Sequence, residues 1–182
     1  MLGVGEKLPD FKIVGVKPKF MRHEENGVSA FETITPESFP GQWKVIFFYP
    51  KDFTFVCPTE IVEFDRLAPE FQKRNAVVVG GSTDNEYSHL AWRQQHPDLN
   101  KMSTPLVFIT PQLASDLGIL HKAAGAALRV TFIVDPESTI RAVTATDLSV
   151  GRNVDEVLRQ LDALQTEKLT PCGWKPGQKT LN

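Results

Sequence analysis

The run Trp43-Lys44-Val45-Ile46-Phe47-Phe48-Tyr49 sets the tightest limit on how this chain can fold. It reads as a buried strand. A helix-like stretch follows at residues 59–73, where Ile61, Phe64, Leu67 and Phe71 recur close to helical spacing. Strand-like and helix-like stretches then alternate. Residues 76–80 form a short strand ended by Gly80-Gly81, and residues 85–95 a helix stopped before Pro97. Residues 106–109 and 130–134 form strands, the second turning at Asp135-Pro136-Glu137-Ser138 toward a hairpin partner at residues 139–144. Residues 153–165 form an amphipathic helix with Val154, Val157, Leu158, Leu161 and Leu164 on one face. This alternation is the mark of an α/β domain with helices packed on a sheet. Pro69, inside the first helical stretch, is expected to kink or interrupt it. Beyond Lys168, the turn-rich segment from Thr170 to Gly177 reads as a mobile tail.

The 182 residues suit one domain with a substantial core, and no internal repeat or second domain is visible. A net charge of −2 gives no ground for a nucleic acid or an anionic membrane as partner. No apolar run approaches the roughly 20 residues that cross a bilayer. Residues 1–7 lack the basic-then-apolar order of a secretory signal. The two cysteines, Cys57 and Cys172, are too few and too far apart for a disulfide framework, which suits a reducing compartment and thiols with a chemical role. Together these readings predict a cytoplasmic protein. No cofactor is expected: the histidines and cysteines show no metal-ligand spacing, and no Gly-x-Gly-x-x-Gly or phosphate loop is present. The absence of Cys-x-x-Cys argues against a thioredoxin-type disulfide reductase.

Cys57 follows the Val45–Tyr49 run and opens a helix-like stretch. A cysteine so placed has its thiolate favoured by unpaired backbone N–H groups and by the helix dipole. Taken alone it has two readings, an activated nucleophile or a buried apolar side chain. Its neighbours decide between them. Pro50-x-x-x-Thr54-x-x-Cys57 matches the active-site signature of the peroxiredoxins, and the string Phe47 to Ile61 (FFYPKDFTFVCPTEI) resembles the branch containing alkyl hydroperoxide reductase C and the typical two-cysteine enzymes. Ser88-His89-Leu90-Ala91-Trp92, Arg129 to Asp135 (RVTFIVD) and Val150 to Val157 (VGRNVDEV) resemble further family segments, in family order.

The resemblance implies a thioredoxin-like fold, a central mixed sheet flanked by helices, over residues 1–168. It implies a C-terminal tail, residues 169–182, carrying the resolving cysteine. The implied activity is antioxidant: a thiol-dependent peroxidase that reduces H2O2 and organic hydroperoxides through a Cys57 sulfenic acid. Thr54 is expected to donate to the sulfur or to a peroxide oxygen, Arg129 to sit beside the sulfur, and Pro50 to shape and shield the pocket. Glu60 reads either as an orienting partner for Arg129 or as a plain first-turn acid. Arg152 reads either as a residue near the active site or as a solvated arginine. Cys172 is implied to resolve the sulfenic acid across a homodimer, although many relatives place three residues between this cysteine and the following tryptophan, and Cys172-Gly173-Trp174 has one. The alternative is a tail cysteine without a role, with resolution by an external thiol. The implied partners are a hydroperoxide substrate, a thioredoxin-like or dedicated disulfide reductase, and further copies of the chain in a ring of dimers. A holdase chaperone or redox relay using the same thiols is the rival reading.

Overall fold

The computed structural model describes residues 1–181. Seven strands form one sheet: β1 (Ile13–Val16), β2 (Phe31–Ile34), β3 (Trp43–Phe48), β4 (Ala76–Ser82), β5 (Leu106–Phe108), β6 (Arg129–Val134) and β7 (Ile140–Thr146). Their order across the sheet is β7-β6-β3-β4-β5-β1-β2. The central strands β3, β4 and β5 run parallel, and every other neighbouring pair is antiparallel. The helices are α1 (Val56–Lys73), α2 (Glu86–Gln95), α3 (Pro111–Asp116) and α4 (Val154–Gln165). The result is a mixed sheet flanked by helices, the thioredoxin-like arrangement that the resemblance implies. Among the described residues no helix is long and apolar enough to cross a membrane.

The central strand shows why both faces must be covered. Val45 and Phe47 of β3, with Tyr49 just beyond it, pack with Ile61, Phe64 and Phe71 of α1 and Val157 and Leu161 of α4. Ile46 and Phe48, pointing the other way, pack with Val79, Val107, Leu117 and Leu8. The period of two along a strand thus builds one core on each side of the sheet. Asn85 and Asn153 start α2 and α4 by accepting from the backbone N–H of Ser88 and Glu156.

Several local expectations give way to tertiary packing. Gly80 and Gly81 do not end β4; they pair with Phe47 and Phe48 and the strand continues to Ser82. A Cβ on Gly80 would stand 2.5 Å from Phe47 Cζ, and one on Gly81 would stand 2.7 Å from Val107 Cγ2. These glycines make room for side chains on neighbouring strands. Helix α1 runs through Pro69 unbroken. Leu67, Ala68 and Phe71 around it are buried, and that packing outweighs one missing backbone hydrogen bond. The four-residue strands β1 and β2 and the short α3 carry too little pattern to be foreseen. The tail is folded: Trp174 is buried, its Nε1 donates to Gln178 O at 3.0 Å, and its carbonyl accepts from Arg159 of α4.

Gly80→Ala is expected to lower unfolding stability by about 1–3 kcal/mol, the range for overpacking a filled core. Urea denaturation monitored by circular dichroism measures it; an unchanged midpoint would show that the Phe47 ring shifts freely.

Candidate active site

Cys57 lies in the first turn of α1, at the C-terminal end of β3, and is only 1% exposed. The N-cap residue Phe55 makes no side-chain capping bond, so the first-turn N–H groups are not consumed by a cap. Antiparallel pairing of β6 with β3 sets Val130 opposite Phe48, which brings Arg129 to this same end of the sheet. Arg129 Nη1 stands 3.4 Å from Cys57 Sγ and donates to Glu60 Oε2 at 2.6 Å, while its Nε donates to Leu148 O at 2.7 Å. Glu60, three residues after Cys57, is one helical turn on and so shares its side of α1.

Arg152, just ahead of α4, closes the arrangement. Glu60 Oε1 accepts from its backbone N at 2.9 Å and its Nε at 2.7 Å, and Glu60 Oε2 accepts from its Nη2 at 3.0 Å. The remaining nitrogen, Nη1, donates to Val130 O at 2.9 Å and Thr131 Oγ1 at 3.2 Å. The guanidinium also lies over the stacked rings of Phe47 and Phe64, 5.6 and 5.7 Å from their centroids. All three charged residues are buried. One carboxylate and two guanidiniums leave one positive charge in excess beside the sulfur. Burial by itself pushes the Glu60 carboxyl up, but the hydrogen bonds and charge of Arg152, with the charge of Arg129, outweigh it and hold Glu60 below the usual carboxylate range.

Of the residues expected at the site, Cys57 and Arg129 are brought into contact, Glu60 accepts from Arg129, and Arg152 is linked to Arg129 through Glu60. Pro50 and Thr54 lie half-buried on the loop between β3 and α1. The Thr54 hydroxyl donates to Lys51 O at 2.9 Å, not to the sulfur. In the peroxide-free protein its proton is thus directed to its own loop, with its lone pairs left to accept. Cys172 stands apart, exposed on the tail, and neither cysteine is in a disulfide.

A second buried cluster, to which the sequence assigned no role, holds the loop. Tyr49 Oη donates to Asp52 Oδ1 at 2.9 Å, His89 Nδ1 lies 2.7 Å from Asp52 Oδ2, and His89 Nε2 lies 3.1 Å from Val107 O. Asp52 N donates to Asp84 Oδ2 at 2.8 Å. Three residues, Tyr49, Asp84 and His89, thus fasten Asp52, next to Phe53, whose φ of 55° is left-handed and strained for a side chain of this size. Burial of the Tyr49 hydroxyl, and after it the charge of Asp52 and the hydrogen bond to it, raise that hydroxyl well above its ordinary range. Asp52 and His89 both sit inside the family-like segments, which is the only signal that pointed to them.

Comparison with known proteins bears on this geometry. The family model described as AhpC/TSA family matches residues 4–143. Alkyl hydroperoxide reductase C of Mycobacterium tuberculosis is 46% identical over 186 residues, covering 100% of this chain and 94% of that protein. The solved structure of Mycobacterium tuberculosis AhpC superposes with a TM-score of 0.86 at 45% identity, covering 96% of this chain and 99% of that one. Reduced 2-Cys peroxiredoxin of Plasmodium vivax superposes with a TM-score of 0.87 at 30% identity, covering 99% of this chain and 93% of that one.

Removing the Glu60 charge is expected to be costly. Glu60→Gln leaves two buried guanidiniums without their carboxylate, and about 3–5 kcal/mol of stability should be lost near neutral pH. Folded Glu60 binds its proton less readily than unfolded Glu60, so its contribution is complete above the unfolded carboxyl's titration. It drains away as pH falls through the folded value. The wild type should therefore lose stability below about pH 4.5 more steeply than Glu60→Gln. Chemical denaturation at stepped pH checks this; parallel curves would mean that the carboxylate contributes nothing through its charge.

Proposed function

Because this chain belongs to the AhpC/TSA family it is a peroxiredoxin, a thiol-dependent peroxidase, and we propose that Cys57 is its nucleophile and Cys172 its resolving thiol. The observation that carries the reading is Arg129 Nη1 at 3.4 Å from a buried sulfur, in a pocket with one positive charge in excess. Cys57 thiolate attacks the terminal oxygen of H2O2 or a small organic hydroperoxide. The S–O bond forms, the O–O bond breaks, and the departing oxygen takes a proton to leave as water or alcohol. Arg129 donates to the oxygen on which charge develops, the term that contributes most in such reactions. Thr54, its own proton held by Lys51 O, accepts the peroxide O–H and lines the O–O bond up with the sulfur. Pro50, without an N–H and with fixed φ, forms a half-buried wall of the pocket.

The product on Cys57 is a sulfenic acid. Cys172 of the partner subunit attacks that sulfur, the S–O bond breaks, and the oxygen leaves as water while a disulfide forms. A thioredoxin-like dithiol protein, or a dedicated reductase, restores both thiols by exchange. On this reading residues 1–168 are the peroxidase domain and residues 169–182 the tail that delivers the second thiol. Two free thiols suit a reducing cytoplasmic setting. A ring of dimers is favoured by the surface beside the loop: Phe55 is 93% exposed and Phe53 51%, so aromatic area next to the site is free to be covered by another copy.

Cys57→Ser should abolish peroxide consumption. Thr54→Val should add about 2–4 kcal/mol to the barrier, the size of losing one preorganised hydrogen bond at a reacting centre. A peroxidase assay with thioredoxin, thioredoxin reductase and NADPH measures both, and near wild-type turnover in Cys57→Ser would sink the assignment.

Cys172→Ser should consume about one equivalent of peroxide per protomer, a single turnover, and then stop. The wild type given stoichiometric peroxide should run as a disulfide-linked dimer on a non-reducing denaturing gel, and the reduced protein should sediment as an assembly larger than a dimer. Oxidised monomer on the gel would point to resolution within one protomer or by an outside thiol. A dimer-sized reduced species would remove the ring.

A further inference from the structure

The tail is built around a turn that presents Cys172. Trp174 N donates to Pro171 O at 3.1 Å, and Gly173 has φ 69°, so Pro171-Cys172-Gly173-Trp174 is a four-residue turn with a left-handed third position. Cys172 occupies the second position of that turn and is exposed, while Trp174 at the fourth is buried. This explains how one residue suffices between cysteine and tryptophan. Glycine takes the left-handed conformation without a steric penalty and reverses the chain within a single step.

Trp174 fixes the turn to the body of the protein. Its carbonyl accepts from Arg159 Nη1 at 2.9 Å. Arg159 is itself oriented by Glu156, donating through Nε to Oε2 at 2.6 Å and through Nη2 to Oε1 at 2.7 Å, a bidentate pair that leaves Nη1 free for the tail. Gln160 Nε2 also donates to Glu156 Oε1, at 3.1 Å. Glu156 lies in the first turn of α4, its N–H bonded to Asn153 Oδ1 at 3.2 Å, and Asn153 directly follows Arg152 of the buried charge cluster. Beyond Trp174 the tail closes on itself, with Lys175 N donating to Gln178 Oε1 at 2.8 Å and Leu181 N to Leu169 O at 2.8 Å. One helix therefore carries an anchor of the Cys57 pocket just ahead of its start and the anchor of the Cys172 turn on its second turn.

We propose that Arg159 is the positioning residue for the resolving step: it clamps Trp174 O so that Cys172 is held at an exposed corner, ready to attack the Cys57 sulfenic acid. This rests on the reading of Cys172 as the resolving thiol. The Arg159 guanidinium is held above the usual arginine range chiefly by its hydrogen bonds to Glu156, against the opposing effect of burial, and negative charge on Cys172 adds to that hold. Arg159 thus restrains the turn through its hydrogen bond to Trp174 O. It touches neither peroxide nor Cys57, so its loss should leave peroxide reduction intact.

The test separates the two half-reactions. Stopped-flow mixing of reduced protein with H2O2 follows the loss of Cys57 thiol, and quenched samples on non-reducing gels follow disulfide formation. In Arg159→Gln the first step should match the wild type, and disulfide formation should slow by about tenfold, the worth of one charge-assisted hydrogen bond. Cys57 sulfinic acid, read by mass spectrometry, should then accumulate at peroxide levels the wild type tolerates. Arg159→Lys keeps the charge but not the fork, and should recover part of the rate. Unchanged disulfide formation in Arg159→Gln would overturn the clamp. So would an equal fall in both steps, which would place the effect in the Cys57 pocket through α4. Equal defects in the Lys and Gln variants together with a lowered melting temperature would assign Arg159 to general stability instead. Cys172→Ser, run beside them, keeps the premise separate: if it forms disulfide and cycles like the wild type, the resolving-thiol reading fails, whatever Arg159 does.

Discussion

The Glu60 carboxylate is the interaction on which the rest of the site depends. Arg129 arrives on β6 and Arg152 from the segment before α4, and without an anion between them two buried guanidiniums could not share this space. Both carboxylate oxygens are saturated with donors, which fixes the rotation of the carboxylate and of both arginines at once. A buried ion network of this kind adds little net stability, because desolvation offsets attraction. What it provides is orientation: Arg129 is left with Nη1 facing the sulfur. The surroundings accommodate the network in turn. Arg152 rests on the Phe47–Phe64 stack, and Phe47 fits because Gly80 on the adjacent strand has no side chain.

The parts of the fold legible in the sequence were those encoded locally. The Trp43–Tyr49 run, the spacing of Ile61, Phe64, Leu67 and Phe71, and the face of α4 report their own secondary structure. Cys57, Thr54 and Pro50 were singled out because they fall within one short signature. Glu60 and Arg152 stayed open between two readings because their pairing spans 92 residues, and no local pattern distinguishes a buried arginine from a solvated one. Gly80-Gly81 and Pro69 look like breakers for the same reason in reverse. Their effect was decided by what stands opposite them: the Phe47 ring and Val107 in one case, the buried face of α1 in the other. The buried Tyr49–Asp52–His89 cluster joins a strand end, a loop and a helix, and only the folded chain puts them together.

The excess positive charge at the site has a consequence for the lifetime of the oxidised protein. With an anionic sulfur the pocket is electroneutral: two guanidiniums against one carboxylate and one thiolate. On the proposed chemistry, a neutral sulfenic acid on Cys57 would withdraw one of those negative charges while the sulfur is still buried. The same walls that stabilise the reduced state then enclose an uncompensated cation, a situation that costs several kcal/mol in a dry interior. On the proposed chemistry, oxidation would weaken that enclosure, and the first turn of α1 would open more easily just when its sulfur has to meet a thiol held at the surface. In that chemistry the pocket would act as an electrostatic latch, closed by the charge of the reactant and loosened by the neutrality of the product.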